Sequence, residues 1–281
     1  MTDIPTFVKW AGGKTQLIKQ YIPLFPSKKN IKRYFEPMIG SGAVFFYIRQ
    51  TYNPEFSMIS DINNDLINLY LQIRDNVDEI ITLLKIHKSK HKINPKEYYY
   101  KMRKKYNSTE DNLEKSSLLL YLNKTCYNGL YRVNSKGEFN VPFGRYKNPA
   151  ILQEEKLRLA SSLLEGTIIK AIPFEKILDF AKPNDFIYFD PPYYPLSETS
   201  SFTSYQKNTF LEEEQKKLAK AFKKLDKKNC KTMLSNSDTD LIRNLYNGYN
   251  IKVVRAKRMI SCKGKGRGSI NELVIRNYVN L

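Results

Sequence analysis

The sequence predicts an α/β fold: a sheet domain interrupted by a mostly helical insertion. Three observations carry this. Short apolar runs at 34–39, 58–60 and 186–189 stop abruptly at glycine or aspartate, as buried strands do. Leu66, Leu69, Ile73, Val77, Ile80, Ile81 and Leu84 then recur at three- and four-residue steps, the period of an amphipathic helix. Alternation of strand and helix resumes near residue 151.

In order along the chain, residues 34–39 read as a strand ending at Gly40, with a helix following through Phe45–Arg49. Met58-Ile59-Ser60 is a short second strand ending at Asp61. The helical pattern begins at Leu66, and further helices are expected at 96–105 and 114–125. Residues 126–149, "CYNGLYRVNSKGEFNVPFGRYKNP", are rich in turn signals, Asn-Gly and Lys-Gly among them. Strands are expected at 167–171, 186–190, 231–235, 250–256 and 272–278, with helices at 152–164, 174–181 and 210–226. The sheet domain is thus read as 1–63 plus 149–281, with the insertion at 64–148.

The 281 residues include 47 Lys+Arg against 28 Asp+Glu, a net charge of +19, which points to a polyanionic partner, most simply nucleic acid. A basic protein kept soluble by its charge is the plainer alternative. Cys126, Cys230 and Cys262 lie far apart with no CxxC spacing, so free thiols are expected and no zinc cluster. The two histidines, His87 and His91, fall in a Lys-rich helical stretch and read as a solvated face, without a metal. No 18-residue apolar run and no signal-peptide core are present, so a cytoplasmic protein is expected.

"EPMIGSGAVFF" places Gly40 and Gly42 where a strand turns into a helix, a position that lets a ligand approach the backbone. Asp61 stands 21 residues after Gly40 at the end of the next strand, where nucleotide-binding α/β folds use an acid to accept ribose hydroxyls. The alternative makes Asp61 a helix N-cap. "KWAGGKTQL" mimics the end of a phosphate-binding loop, but Val8 stands where the first glycine is required, which excludes an NTPase. Trp10 and Lys14 suit the amino acid portion of a ligand, Lys14 as partner of its carboxylate; an ordinary turn with a packed Trp is the alternative.

"DFIYFDPPYYPLSETSSFTSY" ends a strand on Asp190 and locks the next two residues as prolines. That pattern suits an exocyclic amine on a base. Asp190 accepts one N–H, the Pro191 carbonyl accepts the other, and proline fixes φ so that this carbonyl stays in place. Tyr193 offers a face for the base to stack on. The amine's lone pair is thereby aimed at a methyl donor held next door, by orientation and electrostatics, without a strong base. "SETSSFTSY" reads as a lid or DNA-facing loop whose hydroxyls meet phosphates or only water.

The segments "KWAGGK", "EPMIGSG", "SDIN", "YFDPPY" and "NGLYRVNSKGEFNVPFGRYKNP" resemble the DNA-adenine-methylase family, which includes the modification methylases of GATC restriction systems. The likeness covers nearly the whole chain, in the family's order. It implies a Rossmann-like S-adenosylmethionine-dependent sheet with an inserted target-recognition domain. It also implies S-adenosylmethionine as methyl donor, no metal, and the N6 amine of adenine in double-stranded DNA as acceptor, within GATC and by base flipping. Trp10, Lys14, Asp61 and Asp190 carry over as cofactor contacts, and Asp190 and Tyr193 as catalytic; Met38, Gly40 and Gly42 of the strand-to-helix turn are expected at the same cofactor site, and Pro191 beside the catalytic pair. One departure is visible: the family usually has Phe where Met38 stands, so packing around the cofactor is expected to differ.

A leucine or aromatic of "YNGLYR" can wedge between bases, and Arg132 can contact guanine O6 and N7. From spacing alone, hairpin core and phosphate contact are equally good readings of these residues. The resemblance implies that Tyr127, Asn128, Leu130, Arg132 and Pro142 face the bases; Arg145 is expected to contact DNA as well. Residues 252–267 hold seven Lys/Arg and no acid, and predict a phosphate-gripping loop that includes Lys263 and Arg267. The expected assembly is a monomer, with a dimer on DNA as the variant. N4-cytosine or RNA-adenine methylation, and a non-catalytic DNA-binding regulator, are the rival functions.

Overall fold

The computed structural model describes residues 3–196, 210–257 and 269–279. The strands are β1 (Arg33–Pro37), β2 (Phe56–Asp61), β3 (Ile168–Ala171), β4 (Phe186–Phe189), β5 (Lys231–Ser237), β6 (Asn250–Lys257) and β7 (Ser269–Arg276). They form one mixed α/β sheet in the order β3-β2-β1-β4-β5-β7-β6. Neighbours β1/β2, β1/β4 and β4/β5 are parallel, and β7 runs antiparallel to β5 and β6. By contacts the chain divides into two units, residues 1–13, 40–50 and 63–171, and residues 14–39, 51–62 and 172–281.

In the second unit, β4 lies between β1 and β5, and all four of its residues, Phe-Ile-Tyr-Phe, are buried. That explains a continuous apolar run in place of alternation. Strand order reverses across β1 and β4, and in open parallel sheets such a switch point, at the carboxyl ends of the strands, is where ligands bind. The short helices α1 (Ile18–Tyr21) and α8 (Ile177–Phe180) belong to this unit, and helix α9 (Glu212–Lys227) packs on β5 and buries Gln215, Leu218, Ala219, Ala221, Phe222 and Leu225 along one stripe. The strands β6 and β7 flank the glycine-rich basic stretch; its residues 258–268, with Lys263 and Arg267, lie outside the described residues, as does 197–209 with most of "SETSSFTSY".

The first unit is mostly helical. Its main helices are α2 (Ala43–Thr51), α3 (Asn64–Asp75), α4 (Val77–Ile93), α5 (Pro95–Tyr106), α6 (Asn112–Thr125) and α7 (Glu154–Leu164). Helix α6 packs against α3, α4 and α5, and every residue from Ser116 to Thr125 is buried, so its apolar residues show no clean stripe. The long periodic run from Leu66 is two helices. Asn76, with φ −138° and ψ 42°, closes α3 by donating its N–H to the Gln72 carbonyl and starts α4. An apolar period carries no mark of such a break, because both helices present the same face.

The histidines correct the expectation of a solvated face. His87 and His91 continue the buried stripe of Ile80 and Leu84 on α4 and are themselves buried. The Nδ1 of His87 bonds the Tyr98 hydroxyl at 2.8 Å, and that of His91 bonds the Tyr121 hydroxyl at 2.9 Å. Burial pushes His87 down to about 4, assisted by Lys90 and Lys105. Cys126 and Cys230 are buried free thiols. Among the described residues no helix is long and apolar enough to cross a membrane.

Candidate active site

At the carboxyl end of β4 the chain leaves the sheet at Asp190. Phe189 pairs with Leu234 in the parallel ladder, so the next residue of each strand, Asp190 and Ser235, are neighbours. Ser235 Oγ donates to Asp190 Oδ1 at 2.8 Å, and Lys14 Nζ lies 2.7 Å from the same oxygen. The lysine side chain is 4% exposed and the aspartate side chain 19%. This is a desolvated ion pair, whose charges strongly favour staying together. The same ammonium sits 4.7 Å from the centre of the Tyr193 ring. Tyr193 donates its hydroxyl to Glu272 Oε2 at 2.7 Å. Burial, with Asp190 and Glu272 nearby, raises the tyrosine far above its ordinary range, so it stays a donor. Glu272 is raised too, by its own burial, against the opposing pull of Lys14 and the Tyr193 hydrogen bond. Lys14, Asp190 and Tyr193 therefore meet, and Pro191 is buried between the last two in sequence.

Sequence reasoning passed over four polar residues here: Ser235, Glu272, Asn236 and Gln215. The signal was available. "SNS" closes an apolar strand, and Gln215 occupies the buried stripe of α9 together with Leu218, Phe222 and Leu225. A polar residue on a buried face needs a partner.

The loop after β1 carries three left-handed residues, Met38 (φ 63°), Gly40 (φ 49°) and Gly42 (φ 69°). For methionine this conformation is uncommon. The departure at residue 38 thus falls on an unusual backbone. Within the first unit, Tyr70 donates its hydroxyl to the Gly40 carbonyl at 3.0 Å. A Cβ on Gly42 would stand 2.6 Å from that hydroxyl oxygen, and one on Gly40 3.1 Å from Trp10 Cδ1. Trp10 stacks on Tyr131, centroids 5.2 Å apart, and Tyr131 is anchored through its hydroxyl to Asp65 at 3.2 Å. The result is a glycine turn beside a fixed aromatic surface. Asp61 ends β2 half-buried, and it is not the cap of α3: Asn63 is, accepting from Leu66 N at 3.0 Å.

Residues 126–145 form a tight loop on the first unit. Its isolated bridges join Cys126 to Phe143 and Val133 to Phe139. Tyr127 is half exposed, Asn128 takes φ 55°, and the Pro142 carbonyl accepts the Tyr127 N–H at 2.8 Å. Leu130 is half-buried. The exposed Arg132 has its guanidinium held by Asn140, Nε to Oδ1 at 2.7 Å and Nη2 to the carbonyl at 3.3 Å. Arg145 is exposed with φ 53°. Buried Asn123 secures the loop's base, bonding the Lys9 N–H and carbonyl at 2.8 Å each and the Gly129 carbonyl at 3.1 Å. No group of three or more His, Cys, Asp or Glu able to hold a metal occurs among the described residues.

Comparison with known proteins places this arrangement. Residues 10–260 match the D12 class N6 adenine-specific DNA methyltransferase family. The chain is 47% identical over 288 residues to the type II methyltransferase M.MjaIII of Methanocaldococcus jannaschii, covering 98% of this chain and all of that protein (100%). It is 39% identical to a DNA adenine methylase of Haemophilus influenzae, over 95% of this chain and 92% of that protein, and 36% identical to that of Escherichia coli K12, over 95% and 93%. The sheet, the polar end of β4 and the match across most of the chain agree: the chain belongs to the D12 class of N6 adenine-specific DNA methyltransferases.

Proposed function

We propose that this enzyme moves a methyl group from S-adenosylmethionine to N6 of adenine within GATC in duplex DNA, after the target base is rotated out of the helix. The observation that supports it most is Asp190 Oδ1 gripped by both Lys14 and Ser235 at the end of β4. With Oδ1 so held, Oδ2 is the oxygen proposed to accept one N–H of the adenine amine. The Pro191 carbonyl takes the other, and Tyr193 stacks on the purine. When bound, the donor supplies a methyl on a cationic sulfur. The amine lone pair forms the N–C bond as the S–C bond breaks, its electrons staying on sulfur, and the nitrogen then loses a proton to solvent. The protein's contribution is alignment and a preorganised field.

Trp10, Gly40 and Gly42, and Lys14, Met38, Asp61 and Asp190, are assigned to holding the donor. The glycine turn beside Trp10 and the half-buried carboxylate ending β2 support that assignment. Residues 64–148 are assigned to target recognition, inserted in a catalytic part formed by 1–63 and 149–281. Within the insertion, Tyr127, Asn128, Leu130, Arg132, Pro142 and Arg145 face the DNA; outside it, Lys263 and Arg267 grip phosphate. The enzyme acts as a monomer in the cytoplasm, and relatives named type II methyltransferases favour a place beside a restriction nuclease.

The test is incubation with labelled donor and two duplexes that differ only in GATC. Label is expected in the GATC duplex alone, as N6-methyladenine; equal labelling of both would overturn the site assignment. With 2-aminopurine in place of the target adenine, binding is expected to raise its fluorescence several-fold, since extrusion removes the quenching stack. An unchanged signal on saturated DNA would remove base flipping from the scheme.

A further inference from the structure

Gln215 and Asn236 have no part in the chemistry assigned above, yet both are 0% exposed. Two buried amides are costly unless every polar group is matched. They match one another first, Asn236 Nδ2 donating to Gln215 Oε1 at 2.9 Å. Their other bonds go to the backbone on either side of Tyr193. Gln215 Nε2 donates to the Pro192 carbonyl at 3.0 Å, and Asn236 Oδ1 accepts from Tyr194 N at 3.2 Å and from Ser237 N at 2.8 Å. Ser237 Oγ then donates to the Tyr194 carbonyl at 2.7 Å. The residue between is pinned at the carbonyl before it and the amide after it, while its own hydroxyl is tied to Glu272.

We propose that Gln215 and Asn236 are positioning residues for methyl transfer: a buried amide clamp, seated on α9 and β5, that sets the Pro191–Pro192 backbone and the plane of the Tyr193 ring against the target base. Proline alone does not suffice. It fixes φ, and Pro192 also confines ψ of Pro191, but ψ of Pro192 is left free to turn its carbonyl and the peptide into Tyr193. The Gln215 bond to the Pro192 carbonyl restrains ψ of Pro192, and with it the peptide that enters Tyr193, and the Tyr194 bond restrains the far side. Neither amide touches substrate. Both act through backbone, so loosening them misplaces the reacting geometry without removing a binding contact. Misplacement by about 1 Å costs roughly 100-fold in rate. The inference rests on the reading that Tyr193 stacks on the extruded adenine.

The test is Gln215→Met in the full chain, which keeps the side chain's length and loses its two bonds. Single-turnover methylation of a GATC duplex is expected to slow about 10- to 100-fold. The KM values for duplex and donor, and donor affinity by calorimetry, should stay within about threefold of the parent. Ser237→Ala removes the hydroxyl bond to the Tyr194 carbonyl and the longer one, 3.4 Å, to Asn236 Oδ1, and should show the same rate-only signature more weakly; it stands in if Gln215→Met does not fold. A rate within twofold of the parent in the folded variant would overturn the clamp, as would a rate loss matched by an equal loss of donor affinity. Failure of the parent itself to methylate adenine would instead indict the base-stacking reading.

Discussion

At Gly42 the backbone sits at φ 69°, and a Cβ would stand 2.6 Å from the Tyr70 hydroxyl and 3.2 Å from Phe46 Cε2. A side chain there meets both a conformational and a packing penalty. Gly42→Ala should therefore lower the unfolding free energy by about 3 kcal/mol, roughly 1–2 of it from the left-handed backbone. Tyr70→Phe removes the hydroxyl that the new methyl would strike, and also the bond to the Gly40 carbonyl. Urea unfolding of the two single variants and the double should show the double losing less than the sum; simple additivity would mean the clash is not what the alanine suffers from. The glycines and Asp190 were legible in sequence because each ends an apolar run. Ser235 was not, because it depends on register: only once β4 pairs with β5 does residue 235 stand beside residue 190.

At the scale of elements, α4, α5 and α6 pack around two histidines and pin them against Tyr98 and Tyr121. His87 is held near 4 by burial, with Lys90 and Lys105 adding to the effect and Glu114 opposing it. Its folded value is below its unfolded one, so between about pH 6.5 and about pH 4 the unfolded chain binds the extra proton. Stability from this group is complete above that window and declines as pH falls through it, by at most about 3 kcal/mol. His87→Gln removes the term. Urea midpoints followed from pH 7 to pH 4 should fall more for the parent than for the variant; parallel curves would contradict the buried neutral imidazole. The strands and most helices were legible from period and punctuation. The break at Asn76 and the position of the histidines were not, since a Lys-rich neighbourhood reads as surface even when every fourth residue turns inward. In the same way α6 hides its role, because a helix surrounded on all sides has no polar face to announce its orientation.

For the whole molecule the net charge of +19 is the dominant fact. Binding to any duplex should weaken steeply with salt, the slope of log K against log salt approaching about −0.9 per phosphate neutralised. Arg132 and Lys263 separate the two kinds of contact. Arg132, preset by Asn140, should on Arg132→Ala relax base preference by about 1–3 kcal/mol. Lys263→Ala should weaken all duplexes alike and reduce the salt slope by about one. Equilibrium binding to matched and mismatched sites at several salt concentrations distinguishes them; if Arg132→Ala shifts only overall affinity, that residue grips phosphate. Charge was the most legible property of all, because it needs no fold. Which loop delivers it to bases and which to phosphates is a matter of shape.

The most direct measurement is single-turnover methyl transfer by Asp190→Ala on a GATC duplex, with duplex affinity measured on the same preparation. In the proposed scheme the carboxylate aims the amine and contributes little to holding DNA, so transfer should drop by at least about 1,000-fold while affinity stays within about threefold. Transfer within tenfold of the parent would show that the nitrogen is oriented by something other than this carboxylate.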